Sequence, residues 1–268
     1  MHQTPLLLRR GGKNQLSRGE VVRTLKGART IMERIPDSAL LFKARIAGFC
    51  WLMTILSGIF ALTAGGGIIV AGDPAATAAN ILAQEGSYRL GTVANLIATA
   101  FYVAATLFVY ELLKPVNRSL SLLAAFFSLV GCAVGAFSSL FDFAPFVLLK
   151  GAEFLTVFTV EQLQALSLVI LRIGGQAGNI SLVFFGLHCL LVGFLILRSA
   201  FLPRTVGALM AFGGLGWLTY LWPPLASSLS PYSMAPGIIG EVSLTLWLIV
   251  FGVNVQRWNE QNATSTTS

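Results

Sequence analysis

Five polar side chains recur along one otherwise apolar stretch of the chain: Asn95, Thr99, Tyr102, Thr106 and Tyr110. They are separated by steps of four, three, four and four residues, which puts them on one face of an α-helix. A polar face of that length is unfavourable against lipid. It either lines a cavity or ligand path, or is consumed in hydrogen bonds between helices. Glu241 lies near the start of another apolar run, with Thr245 one turn on. A carboxyl group there is either an acid at the positive end of a helix, wetted at the membrane interface, or a proton-linked or cation-binding group. His188 sits in the middle of a further apolar run, and Ser181 precedes it on the same face. It reads as a neutral, hydrogen-bonded histidine inside a bundle, with a proton relay as its functional alternative. Glu111 is followed by Lys114 three residues later, the spacing of a paired interfacial group.

Other chemistries lack their parts. The second histidine is His2, far from His188, and Cys50, Cys132 and Cys189 stand singly in apolar runs. No metal-ligand spacing results, and the cysteines read as small buried thiols. No Ser/His/Asp hydrolase order, phosphate-cradling glycine loop, His-Glu-x-x-His or dinucleotide-binding pattern occurs. The residues therefore nominate no catalytic group, no metal and no cofactor.

The elements that carry these side chains follow from composition. The chain has 268 residues, 55% hydrophobic and 11% charged, with a mean hydropathy of +0.77. That excludes a soluble globular enzyme, a disordered chain and a disulfide-stapled secreted domain. It predicts an all-α membrane protein. Six apolar runs are near the roughly 20 residues a spanning helix needs: 46–70, 92–113, 119–141, 176–197, 205–221 and 238–255. The division is a basic tail over 1–45, a six-helix transmembrane domain over 46–256 and a polar C-terminal tail over 257–268. Gly72-Asp73-Pro74 reads as the close of the first span. Lys114-Pro115-Val116-Asn117-Arg118 and the segment from Arg198 to Arg204 read as matching tight turns. Between spans three and four, 142–175 is not plainly a loop. Thr159 and Gln162 have capping-box spacing, and Leu163, Leu166, Ile170 and Ile173 recur on one face. We read an interfacial or partly inserted helix ending at Gly174-Gly175; the alternative is one long fourth helix that starts near Thr159 and is kinked at the glycines.

Charge sets the expected orientation. The net charge is +7, and ten of the 18 Lys and Arg residues lie in 1–45. With the N-terminus inside, the inner segments hold 15 and the outer ones hold Arg89, Lys150 and Arg172. This positive-inside asymmetry puts both termini in the cytoplasm of a cell inner (plasma) membrane protein. No cleavable signal peptide is expected, because the first long apolar run begins near Ile46 and is long enough to span. Val21, Leu25, Ala28, Met32 and Ile35, with Arg23, Lys26, Arg29 and Arg34 around the other side, describe either a basic amphipathic helix on an anionic leaflet or a mobile tail. The partners implied are membrane lipids. Nucleic acid is not, since no basic-aromatic surface accompanies the charge. Small-residue faces such as Ser128, Cys132, Gly135 and Ser139 suit close helix packing, in a monomer, a homo-oligomer or with an unknown membrane partner.

Four sequence blocks carry a resemblance. They are Ala44-Arg45-Ile46-Ala47-Gly48; Tyr110-Glu111-Leu112-Leu113-Lys114-Pro115-Val116-Asn117; Phe184 to Leu190 running on through Gly193 to Arg204, with Phe201-Leu202-Pro203-Arg204; and Leu246-Trp247-Leu248 with Gly252-Val253-Asn254. Together they resemble the bacterial integral membrane family catalogued as domain of unknown function 4386, over about 44–256. The resemblance implies a compact helical membrane domain and brings no catalytic residues. Three functions are compatible: a small-molecule or ion-linked transporter or ligand-binding membrane protein; a structural, sensory or assembly subunit; and an intramembrane lipid-modifying enzyme, which would need His188 beside Glu241 or Asp142.

Overall fold

The computed structural model describes residues 37–230 and 232–265. The tail helix expected over 21–35, and His2, lie outside them. All regular structure among the described residues is helical. In chain order the α-helices are α1 (Asp37–Ala64), α2 (Pro74–Ala83), α3 (Glu85–Leu113), α4 (Arg118–Leu149), α5 (Val160–Arg198), α6 (Arg204–Leu218), α7 (Pro223–Ser228), α8 (Ala235–Val250) and α9 (Val255–Ser265).

Local chemistry explains where several of these begin. Asn117 is extended and accepts the Leu120 N–H at 2.9 Å, capping α4. Thr159 and Gln162 form a reciprocal capping box at the start of α5. That box opens one helix of 39 residues, so the expected interfacial helix ending at Gly174-Gly175 is not formed: the backbone stays helical through both glycines, and the alternative of one long helix is what the chain adopts. Asp73-Pro74 does not close the first span. Helix α1 ends at Ala64, and Asp73 caps α2 by accepting the Ala76 N–H at 2.9 Å, with Pro74 in the first turn where its missing N–H is harmless. Three further helices do not register as spans: α2 and α7, which are short, and α9, most of which lies in the stretch read as a polar tail. Helix α1 also starts earlier than the first apolar run, at Asp37, and so includes Lys43 and Arg45.

Five helical segments are long and apolar enough to cross a membrane: Asp37–Ala64, Glu85–Leu113, Arg118–Leu149, Val160–Arg198 and Tyr232–Val250, the last including a 3-10 turn before α8. Helix α6 is shorter, with 15 residues. At 1.5 Å per residue it covers about 22 Å, less than the roughly 30 Å hydrocarbon core, before a 3-10 turn at Thr219–Leu221 extends it.

The long helices pack in a closed order. Helix α1 lies against α3, α3 against α4, α4 against α5, α5 against α6, α6 against α8, and α8 returns to α1. Small residues allow the last contacts. Gly48 of α1 faces Ile249 and Leu248 of α8, and a β-carbon added there would meet Ile249 Cγ1 at 2.8 Å. Large apolar side chains such as Phe49, Phe60, Phe126 and Leu246 are exposed on the outside, as a lipid-facing surface requires. One end of the bundle is tied by Lys43 and Lys114 on Glu111, at 3.3 and 3.0 Å, and by the Trp258 indole N–H on the Leu112 carbonyl at 2.8 Å. The opposite end of α3 is tied to α4 by Lys150 on Glu85 at 2.8 Å.

Candidate functional site

The polar stripe of α3 divides. Asn95 donates from Nδ2 to Ser139 Oγ at 3.2 Å. Thr106 shares a 2.6 Å hydrogen bond with Ser128 and donates to the Tyr102 carbonyl. These two sides of the stripe therefore tie α3 to α4. Thr99 turns back onto its own helix, donating to the Asn95 carbonyl at 2.9 Å. Tyr110 lies in the last turn of α3, on an open cleft of about 590 Å³ that Lys114, Asn117 and Arg118 also line. Only Tyr102 turns from the stripe toward the centre of the helix ring.

There it meets the two ionisable residues nominated by the sequence. Its ring lies 5.9 Å from His188, edge-on, and 4.5 Å from Phe185, both on α5. It lies 5.5 Å from Trp51 of α1, and Trp51 lies 6.0 Å from His188. Trp51 in turn donates its indole N–H to Glu241 Oε2 at 3.2 Å. Trp217 of α6 donates to Glu241 Oε1 at 3.1 Å, and the Cys189 thiol approaches the same oxygen at 3.7 Å. His188 Nδ1 is 2.8 Å from the Ala124 carbonyl of α4. All six helices of the ring thus contribute to one buried centre: Trp51, Tyr102, the Ala124 carbonyl, His188 with Cys189, Trp217, and Glu241.

Glu241 is therefore not a wetted acid at a helix end. It lies in the second turn of α8, with 9% of its surface exposed. Its three contacts are neutral donors. The ion pairs among the described residues use Glu85 and Glu111 instead. Among the described residues, three buried polar atoms have no hydrogen-bond partner: Tyr102 Oη, His188 Nε2 and Thr245 Oγ1. Asp142 is engaged elsewhere, accepting from the Tyr88 hydroxyl at 3.3 Å. Among the described residues no group of three or more His, Cys, Asp or Glu is arranged to hold a metal ion.

Sequence reasoning passed over Trp51 and Trp217, because tryptophan counts as apolar. The signal was present: each lies inside a helix, and a buried indole N–H needs an acceptor. Gly237 explains how Trp217 arrives. It stands one turn before Glu241, and a β-carbon added to it would overlap the Trp217 ring. The missing side chain is the space the indole occupies.

A ring of long apolar helices, lipid-facing on its outside and closed around a buried polar centre, defines a multi-pass helical membrane protein. The chain belongs to the family described as "Domain of unknown function (DUF4386)", whose profile matches residues 46–252. It is similar to a protein of Archaeoglobus fulgidus (strain ATCC 49558 / DSM 4304 / JCM 9628 / NBRC 100126 / VC-16) that bears the name "Uncharacterized protein". The two are 26% identical over 153 residues, spanning 56% of this chain and 76% of the archaeal one. No solved structure matches the chain.

Proposed function

We propose that this is a six-span protein of the cell membrane, with both termini in the cytoplasm, and that it binds an ion or ion-linked small molecule at the Glu241 centre, as a transporter or a ligand-binding membrane protein. The support for a binding role is Glu241 itself. A lone carboxylate among neutral donors in an apolar bundle is strongly unfavourable unless a proton or a cation accompanies it. Two indole N–H groups orient the carboxyl group without supplying that charge. The support for six crossings is an even-numbered return. The Trp258–Leu112 and Arg257–Ala200 hydrogen bonds bring the α9 region to the end of the bundle that holds Lys43 and Lys114. Together with 15 of 18 Lys and Arg on inner segments, this favours an inside N-terminus and an inside C-terminus.

A second reading, a structural, sensory or assembly subunit, is favoured by the Asn95–Ser139 and Thr106–Ser128 bonds, which satisfy much of the α3 stripe internally. Thermal unfolding of the protein in nanodiscs separates the two. Wild type, Glu241→Gln and Tyr102→Phe are compared across pH, sodium and potassium, and a panel of small metabolites and lipids. A ligand at about 100 times its Kd stabilises the folded state by about 2.7 kcal/mol. The binding reading expects such a shift in wild type and its loss in Glu241→Gln. No shift under any condition, with both variants merely less stable, rejects binding in favour of assembly.

A further inference from the structure

We propose that the open cleft at the α3–α4 turn binds the headgroup phosphate of an anionic phospholipid, with Arg118 and Lys114 supplying the charge. None of its lining residues belongs to the Glu241 centre.

The turn holds two cations in place. Helix α3 ends at Leu113, and Pro115 lacks the N–H that would continue it. The Val116 N–H returns to the Leu113 carbonyl at 3.0 Å, and Asn117 caps the next helix through the Leu120 N–H. Lys114 and Arg118 therefore stand four residues apart at the two ends of a short, hydrogen-bonded turn. Both line the cleft, together with the hydroxyl-bearing Tyr110 and Ser119 and with Asn262 of α9. The volume of about 590 Å³ lies in the roughly 300–1,000 Å³ range of small-molecule sites.

Charge selects the class of ligand. Glu111 takes Lys43 at 3.3 Å and Lys114 at 3.0 Å. Two ammonium groups on one carboxylate leave that cluster with a net positive charge. Arg118 adds another, is exposed, and forms no ion pair among the described residues. None of the described residues lining the cleft is acidic. A guanidinium fork beside an ammonium matches the oxygens of a phosphate.

The adjoining helix faces select a lipid over a soluble phosphate. Leu107 stands one turn before Tyr110 on α3. Leu122 stands one turn beyond Arg118 on α4, with Phe126 one turn further. All three side chains are exposed, on helices long and apolar enough to cross a membrane. Residues one turn apart share a helix face. Each helix thus carries a lipid-facing apolar path away from the cleft, along which acyl chains can lie while the phosphate occupies the basic end. Basic pockets at the ends of spanning helices bind anionic headgroups in this way.

The test uses the full chain in phosphatidylcholine nanodiscs with and without phosphatidylglycerol. Thermal unfolding reads the stabilisation, and native mass spectrometry counts the lipids retained. Arg118→Gln removes the cation that has no ion pair. Arg204→Gln removes another exposed cation, at the start of α6 and outside the cleft. The expected result is a higher melting temperature for wild type with phosphatidylglycerol. Its affinity should fall about tenfold or more in Arg118→Gln, the scale of one charged hydrogen bond, and stay unchanged in Arg204→Gln. Equal losses in the two variants overturn the site in favour of diffuse attraction between the basic end and the bilayer. No preference for phosphatidylglycerol over phosphatidylcholine overturns it outright. Inorganic phosphate and glycerol 3-phosphate, added to phosphatidylcholine discs, form the last arm, and neither should reproduce the shift. A shift from either that equals that of phosphatidylglycerol and disappears in Arg118→Gln overturns the lipid as occupant and makes the cleft a soluble-phosphate site.

Discussion

Gly237 and Trp217 interlock across the α6–α8 interface: the indole ring fills the space a β-carbon on Gly237 would need. The contact fixes more than packing, because the same indole holds Glu241 Oε1 one turn along α8. Gly237→Ala should push the ring off the helix and break that bond. Overpacking of this kind costs about 1–3 kcal/mol. The expected outcome is a lower melting temperature together with altered tryptophan emission. Adding Trp217→Leu should recover part of the stability lost to the clash while leaving Glu241 without one donor. A double variant as unstable as the sum of its parts would show that the two residues do not interact.

The Thr106–Ser128 bond tests how much of the α3 stripe is structural. It is buried and 2.6 Å long, and it joins α3 to α4. Side-chain hydrogen bonds between membrane helices average about 0.6 kcal/mol and reach about 1.7. A double-mutant cycle with Thr106→Ala and Ser128→Ala, read by reversible unfolding in mixed micelles, should give a coupling in that range. Thr99, which bonds only its own helix, should show none with Ser128.

Tyr102, His188 and Glu241 are legible in the sequence because a polar group in an apolar run needs a reason, and all three converge on the centre. The depth of Glu241 is not legible, since nothing in the amino-acid order reveals that Trp51 and Trp217 reach across to it. The long helices stand out as apolar runs, whereas α2 and α9 do not, being short or polar. Helix order around the ring is hidden for a physical reason. In lipid the outward and inward faces are equally apolar: Phe49 is exposed and Trp51 buried two residues later, and Leu246 is exposed while Leu248 is buried. The amphipathic signal that orients helices in water is therefore missing.

The orientation proposal makes a prediction that turns on α6, the short helix. The native thiols Cys50, Cys132 and Cys189 are buried and can be replaced to give a quiet background. Single cysteines then go at exposed Ser119, Glu153 and Gln256. A membrane-impermeant maleimide applied to intact cells should label Glu153→Cys and leave Ser119→Cys and Gln256→Cys unlabelled until the cells are permeabilised. Labelling of Ser119→Cys and protection of Glu153→Cys would invert the topology against the lysine and arginine asymmetry. Agreement of Ser119 and Glu153 with expectation, but labelling of Gln256→Cys from outside, would mean an odd number of crossings. The helix to give up would then be α6, whose 15 residues are the fewest in the ring. The hydrogen bonds of Trp258 to Leu112 and of Arg257 to Ala200 argue against that outcome, because they hold the α9 region beside the turns that bear Lys114 and Arg198.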